Sequence, residues 1–259
     1  MSWYIDQHDR VLFDQVSAVG EDFSSLQGRE WDVMESRFER CRFDGVKTEF
    51  CFGSGQRMSE YLDCTFDRSR ITSTNPGRAR FIRCSFRDVR LRKSLFNHAE
   101  FLDCVFTGRL REINFNARLS LDDKAELGRT YNRYERNDFS GARLKGVAFK
   151  GGVNLLDQRL PQEDGYLLVD DAEAVIPAAA AEVLTWPDTA EKDAILLRLD
   201  IQLEYDLHYG QRQLLYSPHD WVSRDGVKER AYERLSEVLR ELGARRPGPA
   251  PESSAGEAG

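Results

Sequence analysis

Asp200, Glu204 and His208 recur every four residues, a spacing that places three metal-ligating side-chain types on one face of a helix. Each directly follows a leucine: Leu199, Leu203 and Leu207. The polar flank of an amphipathic helix has the same spacing and is the simpler account of the three. His8, His98, His208 and His219 are scattered, and no catalytic triad can be assembled from them. No Cys-x-x-Cys occurs among the five cysteines, so zinc is unsupported. Gly53-Ser54-Gly55 lacks both the spacing and the following helix of a phosphate loop. The expectation is a non-enzymatic chain with no catalytic, cofactor or metal site.

The cysteines carry a different signal. Tyr-Leu-Asp-Cys-Thr-Phe starts at Tyr61, Phe-Ile-Arg-Cys-Ser-Phe at Phe81 and Phe-Leu-Asp-Cys-Val-Phe at Phe101, which sets Cys64, Cys84 and Cys104 twenty residues apart. The twenty divides into fives. Tyr61, Phe66, Ile71, Pro76, Phe81, Phe86, Leu91, Phe96, Phe101 and Phe106 fall on an unbroken five-residue step. Two places before each stands Ser59, Cys64, Ser69, Thr74, Ala79, Cys84, Val89, Ser94, Ala99 or Cys104. The 48 residues of this window include 15 charged ones, and none occupies those 20 positions. A helix repeats at 3.6 residues and a strand at 2, so neither explains a step of five. A fixed short repeat marks a solenoid. Each five makes one side of a square coil: a large side chain points in, a small one beside it leaves room, and the other three face water. Coils stack about 4.8 Å apart through backbone bonds, and each buried Phe contributes roughly 1.5–3 kcal/mol. The expected core therefore includes Cys64, Phe66, Phe81, Cys84, Phe86, Leu91, Phe96, Phe101, Cys104 and Phe106.

These residues resemble the pentapeptide-repeat family, over Phe38–Phe50, Ser59–Phe115 and Asn137–Val153. Here Phe outnumbers Leu at the central position, and Cys or Ser often stands for Ala. The resemblance implies a right-handed quadrilateral β-helix. The fold class expected is mainly β, this solenoid followed by an α-helical region.

The chain divides as follows. Residues 1–35 carry 2 basic and 8 acidic side chains and read as an N-terminal cap and first coil. Residues 36–154 hold the repeat, with a loop near 51–58 and an insertion near 120–136 that reads as a short helix or a loop. Residues 155–243 read as helical. Asp188 with Glu191 resembles a capping box, followed by the apolar stripe Ile195, Leu196, Leu199, Leu203 and Leu207. Pro177 fits the first turn of a shorter helix. Val227, Ala231, Leu235, Val238, Leu239 and Leu242 form a second stripe, closed by Gly243. Residues 244–259, rich in Pro, Gly, Ala and Ser, read as a disordered tail.

Cys41, Cys64, Cys84 and Cys104 take the small inward position, where cysteine packs as a small hydrophobe. Cys51 is out of phase and is expected to be the accessible one. The thiols point to a reducing compartment, and no apolar run is long enough to span a membrane. The first residues lack the basic and apolar regions of a signal peptide. A cytoplasmic protein is the expectation.

Charge is uneven. Residues 36–119 carry 17 basic and 10 acidic side chains, although the whole chain is −7. The densest cluster is Arg78, Arg80, Arg83, Arg87, Arg90, Arg92 and Lys93, all at outward positions, and it forms the candidate interaction face. The expected role is a rigid protein-interaction scaffold, with self-association through the helical end. The family resemblance implies an alternative: some relatives mimic a DNA duplex and bind DNA gyrase or topoisomerase IV, protecting it from antibiotics. That mimicry needs an acidic solenoid. A further alternative is nucleic acid held on the basic coils by sequence-independent phosphate attraction.

Overall fold

The computed structural model describes residues 3–248. From Arg10 the chain winds into stacked coils joined by parallel sheets. The first sheet contains strands Arg10–Asp14, Glu30–Met34, Lys47–Ser54, Arg70–Thr72, Ser85–Phe96, Val105–Asn116 and Asp138–Lys150 in that spatial order. The second contains Ser17–Val19, Arg37–Glu39, Ser59–Leu62, Ala79–Ile82, Glu100–Leu102 and Tyr134–Glu135. Strand Trp3–Ile5 pairs antiparallel with Arg10–Asp14 and covers the open edge of the first sheet.

The five-residue step is the reason for this shape. All ten central residues from Tyr61 to Phe106 are buried, and so is every small partner except one. Thr74 is exposed, and Ser73 is buried instead. Ser73 Oγ donates to Phe50 O inside the coil, while Thr74 Oγ1 reaches outward to Glu49 Oε1. Aromatic rings stack from rung to rung. Phe43, Phe66, Phe86, Phe106 and Phe139 form one column with centroid spacings of 5.0, 4.8, 4.8 and 4.8 Å. Phe38, Tyr61, Phe81 and Phe101 form another at 5.3, 4.8 and 4.6 Å. These spacings are close to the strand separation, so ring stacking and backbone pairing are satisfied together.

Two residues after a central side chain, the backbone turns a corner. Asp63, Arg68, Arg83, Asp88, Lys93 and Asp103 have φ between 52° and 60°, a left-handed conformation that non-glycine residues rarely adopt. The corner amides repay the strain by bonding to the next rung. Asp63 N–H donates to Ile82 O at 2.9 Å, and Arg83 N–H to Leu102 O at 2.9 Å.

Glycine appears where coils deviate. The slip after Phe106 leaves one residue too few in that coil, and Gly108 absorbs it at φ +91°, where a Cβ would lie 2.5 Å from Val89 O. Gly53 and Gly77 meet back to back, and a Cβ on Gly77 would lie 2.1 Å from Gly53 O.

Cys41, Cys64, Cys84 and Cys104 are buried free thiols, and Cys51 is half-buried. The Cys84 thiol lies 3.2 Å from Tyr61 O. Desolvation pushes the Cys51 thiol up to about 11, so roughly a thousandth of it is thiolate at pH 8. A maleimide applied to the native protein should add slowly and once, at Cys51, with the other four reacting only after denaturation. Intact-mass spectrometry reads this, and rapid addition of two or more labels would contradict it.

The insertion folds as helix α1, Leu121–Leu127, with a capping box between Ser120 and Asp123 and Gly128 closing it in the left-handed region. Arg129 ties it down by donating to His98 O and to Asn132 Oδ1 at 2.8 and 2.7 Å. Buried Asn137 bridges the gap in the ladder, accepting from Cys104 N–H at 3.0 Å and donating to Phe101 O at 2.9 Å.

The C-terminal region packs helices α2 (Ala172–Leu184), α3 (Ala190–Ile201) and α4 (Val227–Glu241) into a second core. Three sequence expectations shift here. Pro177 lies inside α2, because Asp171 caps that helix five residues further upstream than a first-turn proline requires. Thr189, rather than Asp188, caps α3 by accepting from Lys192 N–H. The expected tail begins later than Ala244: Ala244 is buried, and Arg245 exchanges two backbone bonds with Leu168 at 2.8 and 3.0 Å. The rest of that expectation, 249–259, lies outside the described residues. Among the described residues, no helix is long and apolar enough to cross a membrane.

This region also covers the last coil. Leu144 N–H donates to Tyr166 Oη at 3.1 Å, Ser217 Oγ donates to Leu144 O at 2.6 Å and Gly146 N–H donates to Asp220 Oδ1 at 2.5 Å. Gln211 takes Gly152 N–H at 3.0 Å. A solenoid end presents a row of unpaired backbone groups, and side chains of the C-terminal region satisfy Leu144 N–H, Leu144 O, Gly146 N–H and Gly152 N–H among them.

Candidate polyanion-binding face

The seven clustered cations of the sequence do not share one face. A side is only five residues long, so the run from Arg78 to Lys93 wraps around several sides of one coil. Arg80 lies in the second sheet and Arg90 and Arg92 in the first. Three of the seven are neutralised. Arg78 pairs with Glu126 of helix α1. Arg80 bonds Glu100 at 2.7 Å, and Arg83 grips Asp63 with two bonds of 2.7 Å. Arg87 donates to Ser85 Oγ at 2.7 Å, and Lys93 occupies a left-handed corner.

Stacking brings together a different set. In the first sheet Lys47 pairs in register with Arg70, Arg70 with Arg90, Arg90 with Arg109 and Arg109 with Arg143. That is one column of five cations, all exposed. Two residues along each strand runs a second column, in which Arg92 pairs with Arg111 and Arg111 with Lys145. Between the columns, Leu91, Leu110 and Leu144 point inward and are buried. The two columns are about 7 Å apart and their rungs about 4.8 Å. Arg111 with Glu112 is the only ion pair in either column among the described residues. Arg92 donates to Thr72 Oγ1 at 3.2 Å. A groove over this face is lined by Arg29, Lys47, Arg70, Arg90 and Arg92 together with Glu49.

The second sheet shows what the fold does elsewhere. There Arg37 pairs in register with Glu60, Glu60 with Arg80 and Arg80 with Glu100. The signs alternate, and buried Glu100 also takes Arg129 at 3.7 Å. Like charges directly opposite each other destabilise a sheet and unlike charges stabilise it. One sheet neutralises itself rung by rung, while the other accumulates positive charge.

Four large inward side chains for every twenty residues, each with a small inward partner, together with parallel ladders and one side for each five residues, decide the architecture. The chain folds as a β-solenoid of stacked coils. No family model and no curated protein matches it. Among solved structures, the solenoid is similar to trypsin-treated QnrB1, a plasmid-mediated fluoroquinolone resistance protein, at 15% identity and a TM-score of 0.21, over 57% of this chain and 79% of that one.

Lys47, Arg70, Arg109, Arg111, Arg143 and Lys145 were outside the sequence cluster. The signal that could have found them is the twenty-residue spacing of Arg70 and Arg90, extended through the one-residue slip to Arg109. Density along the chain measures a different thing from density on a face.

The four-residue spacing of Asp200, Glu204 and His208 meets a change of helix type. Helix α3 ends at Ile201 and passes into a π-helical turn, Gln202–Leu207. The wider turn breaks the four-residue spacing, so Asp200, Glu204 and His208 do not line one straight face. Among the described residues, no three His, Cys, Asp or Glu side chains are grouped to hold a metal.

Proposed function

We propose that this pentapeptide-repeat solenoid is a non-enzymatic, rigid scaffold whose first-sheet face docks a polyanionic partner. The unbroken cation column Lys47–Arg70–Arg90–Arg109–Arg143 carries the reading. Isolated in solution, such a column repels itself; an anionic partner relieves the repulsion. A stacked coil holds the cations at fixed spacing, so little order is lost when a partner binds. A duplex-mimicking surface that engages DNA gyrase needs carboxylates at these positions, and this face presents guanidinium groups. The helical region supports a cap, through its bonds to Leu144 and Gly146, with self-association as a second role of its exposed Leu197 and Ile201.

Heparin is the probe. The full chain should bind it at low salt and release it as salt rises, and changing Arg70, Arg90 and Arg109 together to Glu should weaken binding by at least 100-fold. Changing Arg83 and Arg136 to Glu, whose wild-type side chains pair with Asp63 and Asp103, should cost far less. Equal losses from the two variants, or no binding by the parent chain, would sink the reading.

A further inference from the structure

We infer that the partner of this face is the phosphate backbone of a double-stranded nucleic acid, read without regard to sequence. The inference rests on the polyanion-docking reading and narrows it.

Three observations separate a duplex from other polyanions. The first is what the face lacks. Protein–protein contacts depend on a few buried aromatic or aliphatic anchors. Among the described residues, the large exposed hydrophobic side chains, such as Tyr4, Leu95, Leu121, Leu197 and Tyr205, all lie outside the two columns. A partner protein would find charge but no anchor. Among the described residues, neither column holds an exposed aromatic ring, so the face lacks the stacking platform that single strands use.

The second is regularity. Lys47, Arg70, Arg90, Arg109 and Arg143 repeat once per rung on a rigid sheet. A partner that satisfies all of them must itself carry charge at close, regular intervals, as a phosphodiester chain does, with one charge per about 1.7 Å of duplex axis. Arginine predominates, and its planar fork matches phosphate oxygens.

The third is the boundary. In register with the second column, towards the N-terminus, stand Glu49 and Glu30. At the other end Asp220 sits against Gly146. Carboxylates therefore flank the array at both ends and confine a polyanion to it. Five rungs span about 19 Å, the rise of between five and six base pairs at about 3.4 Å each.

The test uses the full chain with four probes of similar length: a DNA duplex of mixed sequence, an RNA duplex, a DNA single strand and poly-glutamate, each titrated over a salt series. The expected result is duplex binding with little dependence on sequence and a steep inverse dependence on salt. Changing Arg90 and Arg109 to Gln should weaken it at least tenfold at low salt and flatten the slope of log affinity against log salt by about 2. Changing Arg83 and Arg136 to Gln should leave that slope unchanged. The DNA and RNA arms show which duplex geometry the array fits, and binding of either supports the inference. Single-strand binding as tight as duplex binding overturns it. Binding of poly-glutamate or heparin without either duplex overturns it too, while leaving the polyanion-docking function standing. No binding to any probe overturns both. All four substituted arginines are exposed, so folding should survive each change, and a thermal melt verifies this.

Discussion

Phe66→Ala should lower stability by about 3–5 kcal/mol, a large fraction of the roughly 5–15 kcal/mol that typical domains possess. Phe66 is 0% exposed. Its ring stacks on Phe43 at 5.0 Å and on Phe86 at 4.8 Å, with interplanar angles of 8° and 5°. Truncation opens a cavity that the walls cannot close, because the same backbone bonds that stack the coils hold the neighbouring rungs apart. In a solenoid each coil is supported mainly by its neighbours, so the loss weakens the rungs on both sides. Guanidinium unfolding followed by circular dichroism measures it. Phe66→Leu, which keeps most of the volume, should cost much less. A loss below about 1 kcal/mol for the alanine variant would show that the column is not a packed core.

Ending the chain after Gly152 should convert the protein into a self-associating species. The truncation removes Tyr166, Ser217 and Asp220, and with them the partners of Leu144 N–H, Leu144 O and Gly146 N–H. It also removes the buried layer containing Leu155, Leu160, Tyr166 and Leu168, which belongs to the solenoid core. What remains is the strand Asp138–Lys150, 13 residues long, as an open edge with its apolar interior uncovered. Long uncovered edges pair with other chains. Sedimentation should show large oligomers or precipitate in place of the full-length species, with a lower melting temperature. A soluble truncated chain with an unchanged melting temperature would assign the helical region to something other than capping.

The repeat was legible before the fold because its rule is local. A square coil with five-residue sides demands one large and one small inward side chain per side, and Tyr61 through Phe106 obey it in sequence. Cys51 stood out for the same reason, being out of phase. Thr74 misled because two adjacent hydroxyl residues compete for the inward place, and Ser73 takes it by donating to Phe50 O while Thr74 bonds Glu49 at the surface. The caps at Asp171 and Thr189 were missed because several residues near each helix start can cap, and packing selects among them. The pairing of Leu167–Val169 with Leu214–Tyr216 has no signal in either strand alone, since it joins segments separated by two helices.

By itself, then, the amino-acid sequence determined the coil: its period, its aromatic columns and its buried thiols, all of which follow from which side chains can face inward at every fifth position. Only the tertiary structure decided which outward charges stand together. Arg78, Arg80 and Arg83 looked like part of one basic face, but their partners Glu126, Glu100 and Asp63 arrive from other coils and from the insertion. Lys47, Arg70, Arg90, Arg109 and Arg143 are separated by 19 to 34 residues in the chain, yet stacking makes them neighbours. Electrostatic interaction depends on distance through space, and in a solenoid the nearest outward neighbour of a residue is usually one full coil away.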